Sequence, residues 1–191
     1  TINLARIALD TNTKEEYLKE LEIRTLSDIR ALDIVRNIIK RNVEKNLLPN
    51  FTYKLVDFEH LYNTIGFIGI YETMKKFNCT ISDQFGNVYY TDEATDFGKK
   101  IFDTMRKVAD NFIAENHCDY MINTEQIPAE TAAAKLMNKD KFFYPDANIY
   151  DLPLYGNQFI PLGIQTTLKE RIRIQALFDS FCNGGSILHC N

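Results

Sequence analysis

Tryptophan is absent from the 191 residues, and proline and glycine number only 5 and 8. So few chain breakers exclude collagen-like, linker-dominated and low-complexity architectures. Cysteine is sparse too: Cys79, Cys118, Cys182 and Cys190 form neither a C-x-x-C pair nor a secretory disulfide framework, which reads as reduced thiols in a cytoplasmic protein. A basic stripe is missing, and the net charge of −4 argues against a general nucleic-acid binder. It leaves room for a small phosphorylated ligand, which a few backbone amides at a helix start can hold. No apolar run approaches the length of a membrane span and no signal peptide is visible, so no membrane association is expected.

What is present is an ordinary globular composition, 45% hydrophobic and 25% charged, with 10 Tyr and 13 Phe to fill a core. The length suits a single domain over residues 1–191. Both ends read as cut: Thr1 opens in what looks like mid-strand, and Ile187-Leu188-His189-Cys190-Asn191 stops without a polar tail.

The pattern predicts a strand over residues 1–7, then helix over 14–46 with Thr13 as N-cap and Glu16 three residues on, broken near residues 24–27 and ended by Pro49 and Asn50. Residues 51–53 read as extended, and 62–69 as a strand whose glycines permit close backbone approach. A short helix over 72–77 and a loop or hairpin over 79–90 turning at Gly86-Asn87 follow. Then come an amphipathic helix over 92–116, a strand over 120–125, a helix from Pro128 to Lys139, a helix over 167–181 and a closing strand over 186–190. Strand and helix alternate, which implies an α/β fold with parallel pairing.

In such folds chemistry gathers at strand ends and in the loops that follow. The leading candidate is Asn123-Thr124-Glu125-Gln126-Ile127-Pro128-Ala129-Glu130-Thr131. Alternation puts Met121, Asn123 and Glu125 on one face, and two polar side chains there are costly to bury unless they meet a ligand or partner. Pro128, Ala129, Glu130 and Thr131 then open a helix among small residues, leaving backbone N–H groups able to bind phosphate oxygens. Pro and Glu in a first turn serve equally as ordinary capping chemistry, and both readings stand at this point. A second candidate is Gly184-Gly185-Ser186, either a helix cap and turn or a place where a ligand comes close. His189 and Cys190 alternate faces and read as core residues. His117-Cys118 lacks the further ligands of a zinc motif.

The segment from Asn123 to Glu130 with its following Ala-Ala-Ala-Lys-Leu resembles a signature of the anaerobic (class III) ribonucleoside-triphosphate reductases, a glycyl radical family. So does Leu154-Tyr155-Gly156-Asn157-Gln158-Phe159-Ile160-Pro161-Leu162. The opening Thr1-Ile2-Asn3-Leu4-Ala5-Arg6-Ile7-Ala8-Leu9, the run from Tyr62 to Glu72 and the block from Gly184 to His189 resemble further family segments, in family order. The resemblance implies a later portion of a ten-stranded α/β barrel that reduces ribonucleoside triphosphates to deoxyribonucleotides. It also implies a glycyl radical made by a radical S-adenosylmethionine activase, a thiyl radical on a finger-loop cysteine, a structural zinc and a homodimer. The chain aligns after the finger-loop cysteine and before the glycyl and zinc segments, so none of its cysteines is expected to be the thiyl residue.

On that resemblance Glu125 and Asn123 face the ribose as catalytic groups, with Glu125 assisting loss of the 2′-hydroxyl, and Pro128, Ala129, Glu130, Thr131, Gly185 and Ser186 bind substrate. The family often has Gly where this chain has Ala129, which asks for an ordinary helical φ there. Two other readings remain: a non-catalytic, reductase-related nucleotide-binding or interaction protein, and a different glycyl radical enzyme related to formate lyases. The first reading predicts that the gene encodes a cysteine shortly upstream and an Arg-Val-x-Gly-Tyr-like site downstream. It also predicts that residues 1–191 alone self-associate through exposed strand edges. Sequencing the flanks and measuring the mass of the isolated span in solution check these, and a monodisperse soluble monomer would contradict the second.

Overall fold

A computed structural model of the chain describes residues 1–189. Its sheet has the order β1-β2-β5, all parallel, formed by β1 (Ile2–Asn3), β2 (Asn63–Ile68) and β5 (Ile122–Gln126). The register runs from Asn63↔Ile122 to Phe67↔Gln126. Parallel strands need crossovers. Helices α1 (Leu4–Asp10) and α2 (Lys14–Glu44) lie between β1 and β2, with a one-turn helix α3 (Pro49–Thr52) after them. Between β2 and β5 lie α4 (Ile70–Lys76), an antiparallel hairpin of β3 (Thr80–Ser82) and β4 (Val88–Tyr90), and α5 (Asp92–Asn116). Helices α6 (Glu130–Phe143) and α7 (Leu168–Asp179) follow β5. The α/β alternation is present; the described residues contain a small open sheet.

Four expectations change. The opening run forms only two strand residues because the Asn3 side chain accepts a hydrogen bond from the Arg6 N–H (3.1 Å) and starts α1. Leu4, Ile7 and Ala8 then recur at helical spacing and are buried. Helix α2 runs through residues 24–27 unbroken: Thr25 is buried, and the Ser27 hydroxyl is satisfied within the helix by Ile23 O (3.0 Å). Its start is the expected capping box of Thr13 and Glu16. Residues 51–53 are not extended, because Pro49 enters the first turn of α3, where its missing N–H is no loss. The closing strand does not form as a regular element; residues 184–187 instead run alongside β5, and Cys190 lies outside the described residues.

One core joins α2, α5, α7 and one face of the sheet, and it is strongly aromatic. Phe67, Phe102, Phe159 and Phe178 are each essentially buried, with Phe67–Phe102 and Phe159–Phe178 ring centres 5.1 and 5.2 Å apart. Each such ring contributes about 1.5–3 kcal/mol by leaving water. A second cluster of Ala5, Leu9, Ile68, Ala133, Met137, Ile149 and Tyr155 seats α1 and α6 beyond the strand ends. Asp140 of α6, 2% exposed, locks that seat by accepting from Asn3 Nδ2 (2.9 Å), the Arg6 guanidinium (3.0 Å) and the Tyr155 hydroxyl (2.8 Å). The direction of α6 is thus set by a buried carboxylate whose partners come from three segments.

Gly69, between β2 and α4, holds φ at +83°, and a Cβ there would come within 2.9 Å of the Ala5 backbone nitrogen. Gly69→Ala is therefore expected to destabilise the protein by about 3 kcal/mol, from left-handed strain plus overpacking. A urea unfolding midpoint equal to that of the unsubstituted protein would contradict this packing.

Candidate functional site at the end of the last strand

Strand β5 alternates as the sequence suggests: Ile122, Thr124 and Gln126 are buried, while Asn123 and Glu125 on the opposite face are half-buried. The 183–187 segment crosses this end of the strand. Asn183 Oδ1 accepts from the Thr124 N–H (2.7 Å), Gly184 N–H donates to Thr124 O (2.9 Å), and Gln126 N–H donates to Gly185 O (3.3 Å). The approach requires glycine, since a Cβ on Gly184 would lie 2.8 Å from Thr124 O, 2.9 Å from Glu125 Cβ and 3.1 Å from Asn123 Nδ2. Gly184 is therefore a close-approach residue rather than a helix cap, as α7 has already ended at Asp179. Asn123 Oδ1 is buried beneath this segment with no hydrogen-bond partner. An unpartnered buried acceptor costs about 1–3 kcal/mol.

Helix α6 begins four residues after β5. Ala129 is its N-cap with φ −130° and ψ 48°, an ordinary negative φ that admits alanine without strain, though not the helical value expected. No side chain caps the helix; Ala133 N–H is the first to close back, onto Ala129 O (2.8 Å). The N–H groups of residues 130–132 precede it, at the positive end of the helix dipole. The Glu130 carboxylate is engaged by Asn157 Nδ2 (2.9 Å), which leaves backbone rather than side chain as its means of meeting an anion. Thr131 and Pro128 are exposed. Ser186 is not brought to this point by its side chain: its hydroxyl donates to Asp179 and accepts from Gln175 (2.6 Å), both on α7.

Three buried polar neighbours of the candidate site escaped the sequence reading. Gln126 spends both ends of its side-chain amide on neighbouring segments, donating to Asn157 O and accepting from Ile187 N–H (2.9 Å). Glu72, 1% exposed on α4, accepts from Gly156 N–H (2.9 Å), and its other oxygen is unpartnered. Gln158, 5% exposed, carries an unpartnered Oε1 and lines a hollow of about 470 Å³ with Glu130, Tyr155, Asn157, Leu162 and His189. A polar side chain inside a segment that resembles the family was the available signal for all three. A larger hollow of about 610 Å³ lies between α1, α2 and α6, away from β5. Among its charges Arg6 pairs with Asp10 and Asp140, and Arg24 with Asp10.

Two of the described cysteines belong to the main core. Cys79 is buried in the main core and Cys182 packs against it; burial pushes both thiols up, Cys182 to about 12. His117 takes the left-handed C-cap of α5 beside Cys118. Among the described residues no group of three or more His, Cys, Asp or Glu side chains is placed to hold a metal, so the implied zinc does not fit these residues. No helix among them is long and apolar enough to cross a membrane.

A family model described as anaerobic ribonucleoside-triphosphate reductase matches residues 1–191. The chain belongs to this family. Among solved structures it is similar to the anaerobic ribonucleotide reductase of Thermotoga maritima with citrate in the active site, at 35% identity and a TM-score of 0.90. That match covers 100% of this chain and 34% of the other. The same values of identity and TM-score hold for that reductase in complex with dATP and CTP, and with dATP bound in the specificity site, where 31% and 32% of the other chain is covered. This chain thus spans about a third of the length of those reductases. Among curated proteins none matches.

Burial raises the Glu72 carboxyl from its ordinary 4.5 to about 7, the Gly156 N–H opposing the shift. Between those values the unfolded chain ionises while the folded one keeps its proton, so rising pH removes stability across this window and has no further effect above it. Glu72→Gln is expected to abolish that slope, which amounts to on the order of 3 kcal/mol. Urea titrations from acid to neutral pH measure it, and parallel pH profiles for the two proteins would refute the assignment.

Proposed function

We propose that the reductase containing this chain converts ribonucleoside triphosphates to deoxyribonucleotides by glycyl and thiyl radical chemistry, and that residues 1–191 form one domain, a later portion of its ten-stranded barrel. The family match over the full chain supports the reaction class. The observation that carries the local reading is the conjunction at β5: a buried, unpartnered Asn123 Oδ1 beside Glu125, followed by the uncapped start of α6.

In this reading the N–H groups of residues 130–132, at the helix start that Pro128, Ala129, Glu130 and Thr131 open, receive the triphosphate, because the helix dipole and three unpaired donors favour negative charge. Gly185 and Ser186 form the adjoining wall through their backbone. Asn123 Oδ1 accepts a hydrogen bond from a ribose hydroxyl, ending its unpartnered state. Glu125 acts as a proton relay, passing a proton to the 2′-hydroxyl as the C2′–O2′ bond breaks and water leaves; the two electrons of the reduction come from a reductant outside this chain, formate or a protein thiol. The radical itself is supplied by a glycyl residue, activated by a radical S-adenosylmethionine enzyme, and by a cysteine, both elsewhere in the reductase. A cytoplasmic homodimer completes the proposal.

The test is the intact reductase with its activase. Glu125→Gln should lower kcat by about 100-fold or more, the range of a lost general acid, while KM for the ribonucleoside triphosphate stays within about threefold. A kcat near that of the unsubstituted enzyme removes Glu125 from the chemistry. Triphosphate binding by the activated, unsubstituted enzyme without any product favours the non-catalytic reading instead.

A further inference from the structure

Gln126 closes β5 and is 5% exposed. Its amide reaches in two directions: Nε2–H donates to Asn157 O, and Oε1 accepts from Ile187 N–H (2.9 Å). Its orientation follows from its partners, one a carbonyl that can only accept and the other an N–H that can only donate. From Asn157 the connection continues through Nδ2 to Glu130 in the first turn of α6 (2.9 Å). On the other side Gly156 is gripped twice, its N–H by Glu72 Oε1 (2.9 Å) and its carbonyl by Gly69 N–H (2.8 Å). There is little slack, since a Cβ on Gly156 would fall 2.5 Å from Pro161 Cγ. The 156–158 loop, the 184–187 segment and the start of α6 thus share one buried amide as their junction.

We propose that Gln126 is a positioning residue for the reductase reaction: it holds the 156–158 loop and the 184–187 segment against the start of α6 and so sets where the substrate triphosphate docks. This rests on the reading of that helix start as the phosphate site. Gln126 touches no reacting atom, and its removal acts through Asn157 and Glu130.

The experiment uses the intact, activated reductase carrying Gln126→Glu, Gln126→Leu or Asn157→Ala. In Gln126→Glu the carboxylate still accepts from Ile187 N–H, but above its titration it opposes Asn157 O with a lone pair; once protonated it donates there again. Glu130 beside Asn157, His189 in the adjoining hollow and Glu72 behind Gly156 are the other titratable groups facing this junction. The unsubstituted enzyme, measured across the same pH range, accounts for their titration and for that of the substrate.

At about pH 8 the Gln126→Glu enzyme is expected to show KM raised roughly tenfold with kcat changed less than about threefold, the KM returning towards the unsubstituted value near about pH 6. Gln126→Leu should show the rise at every pH. Asn157→Ala, at a less buried position that spares the β5 strand, should raise KM by roughly threefold to fivefold. Unchanged KM in Gln126→Glu and Asn157→Ala overturns the proposal. So does a parallel loss of kcat and melting temperature without pH dependence, the mark of a merely structural amide. If the unsubstituted enzyme itself shows no triphosphate-dependent turnover, the underlying function falls and this proposal with it; turnover with unchanged variant KM removes the proposal alone.

Discussion

The parallel pairing of β2 with β5, from Asn63↔Ile122 to Phe67↔Gln126, is the constraint on which the rest of the arrangement depends. Parallel neighbours cannot be joined by a tight turn, so every connection is a crossover, and helices cover the strands. All strand ends of one polarity then meet at one edge, where the backbone must leave the sheet and enter helices. That edge holds the Gly69 turn, the start of α6 and the glycines of 184–185. The aromatic core of Phe67, Phe102, Phe159 and Phe178 sits behind it and keeps the strand ends from shifting.

The polar groups at this edge divide into two kinds. Asp140 and Gln126 have partners for their side-chain atoms, and these partners come from distant parts of the chain. Such satisfied buried groups fix geometry, because releasing any one partner leaves a charge or dipole unsolvated. Asn123 Oδ1, Gln158 Oε1 and the second oxygen of Glu72 are buried without partners. For Glu72 the consequence is a carboxyl that keeps its proton to about neutral pH. For Asn123 it is an acceptor standing ready on the same strand face as Glu125. The proposed substrate site rests on this contrast between a rigid frame and the unfilled acceptor of Asn123.

Much of this was legible in the sequence. The 92–116 helix, the 79–90 hairpin with its Gly86-Asn87 turn and the Thr13–Glu16 capping box all carry local signals strong enough to survive tertiary packing. Two of the errors fell where one side chain overruled a composition: Asn3 turned an apolar run into a helix start, and Pro49 turned an extended reading into a helical turn. Asn123 and Glu125 were readable because alternation alone assigns them a face. Gln126, Glu72 and Asp140 were not, because their roles lie in hydrogen bonds to residues about 15 to 140 positions away, and no local pattern encodes such partners.

The central claim is that the start of α6 receives the substrate triphosphate while Asn123 and Glu125 face its ribose. The most direct measurement is a crystal structure of the intact reductase with a ribonucleoside triphosphate bound. The account predicts phosphate oxygens within hydrogen-bond distance of the N–H groups of residues 130–132 and a ribose hydroxyl on Asn123 Oδ1. A substrate bound with its phosphates elsewhere and Asn123 Oδ1 still unpartnered would contradict it.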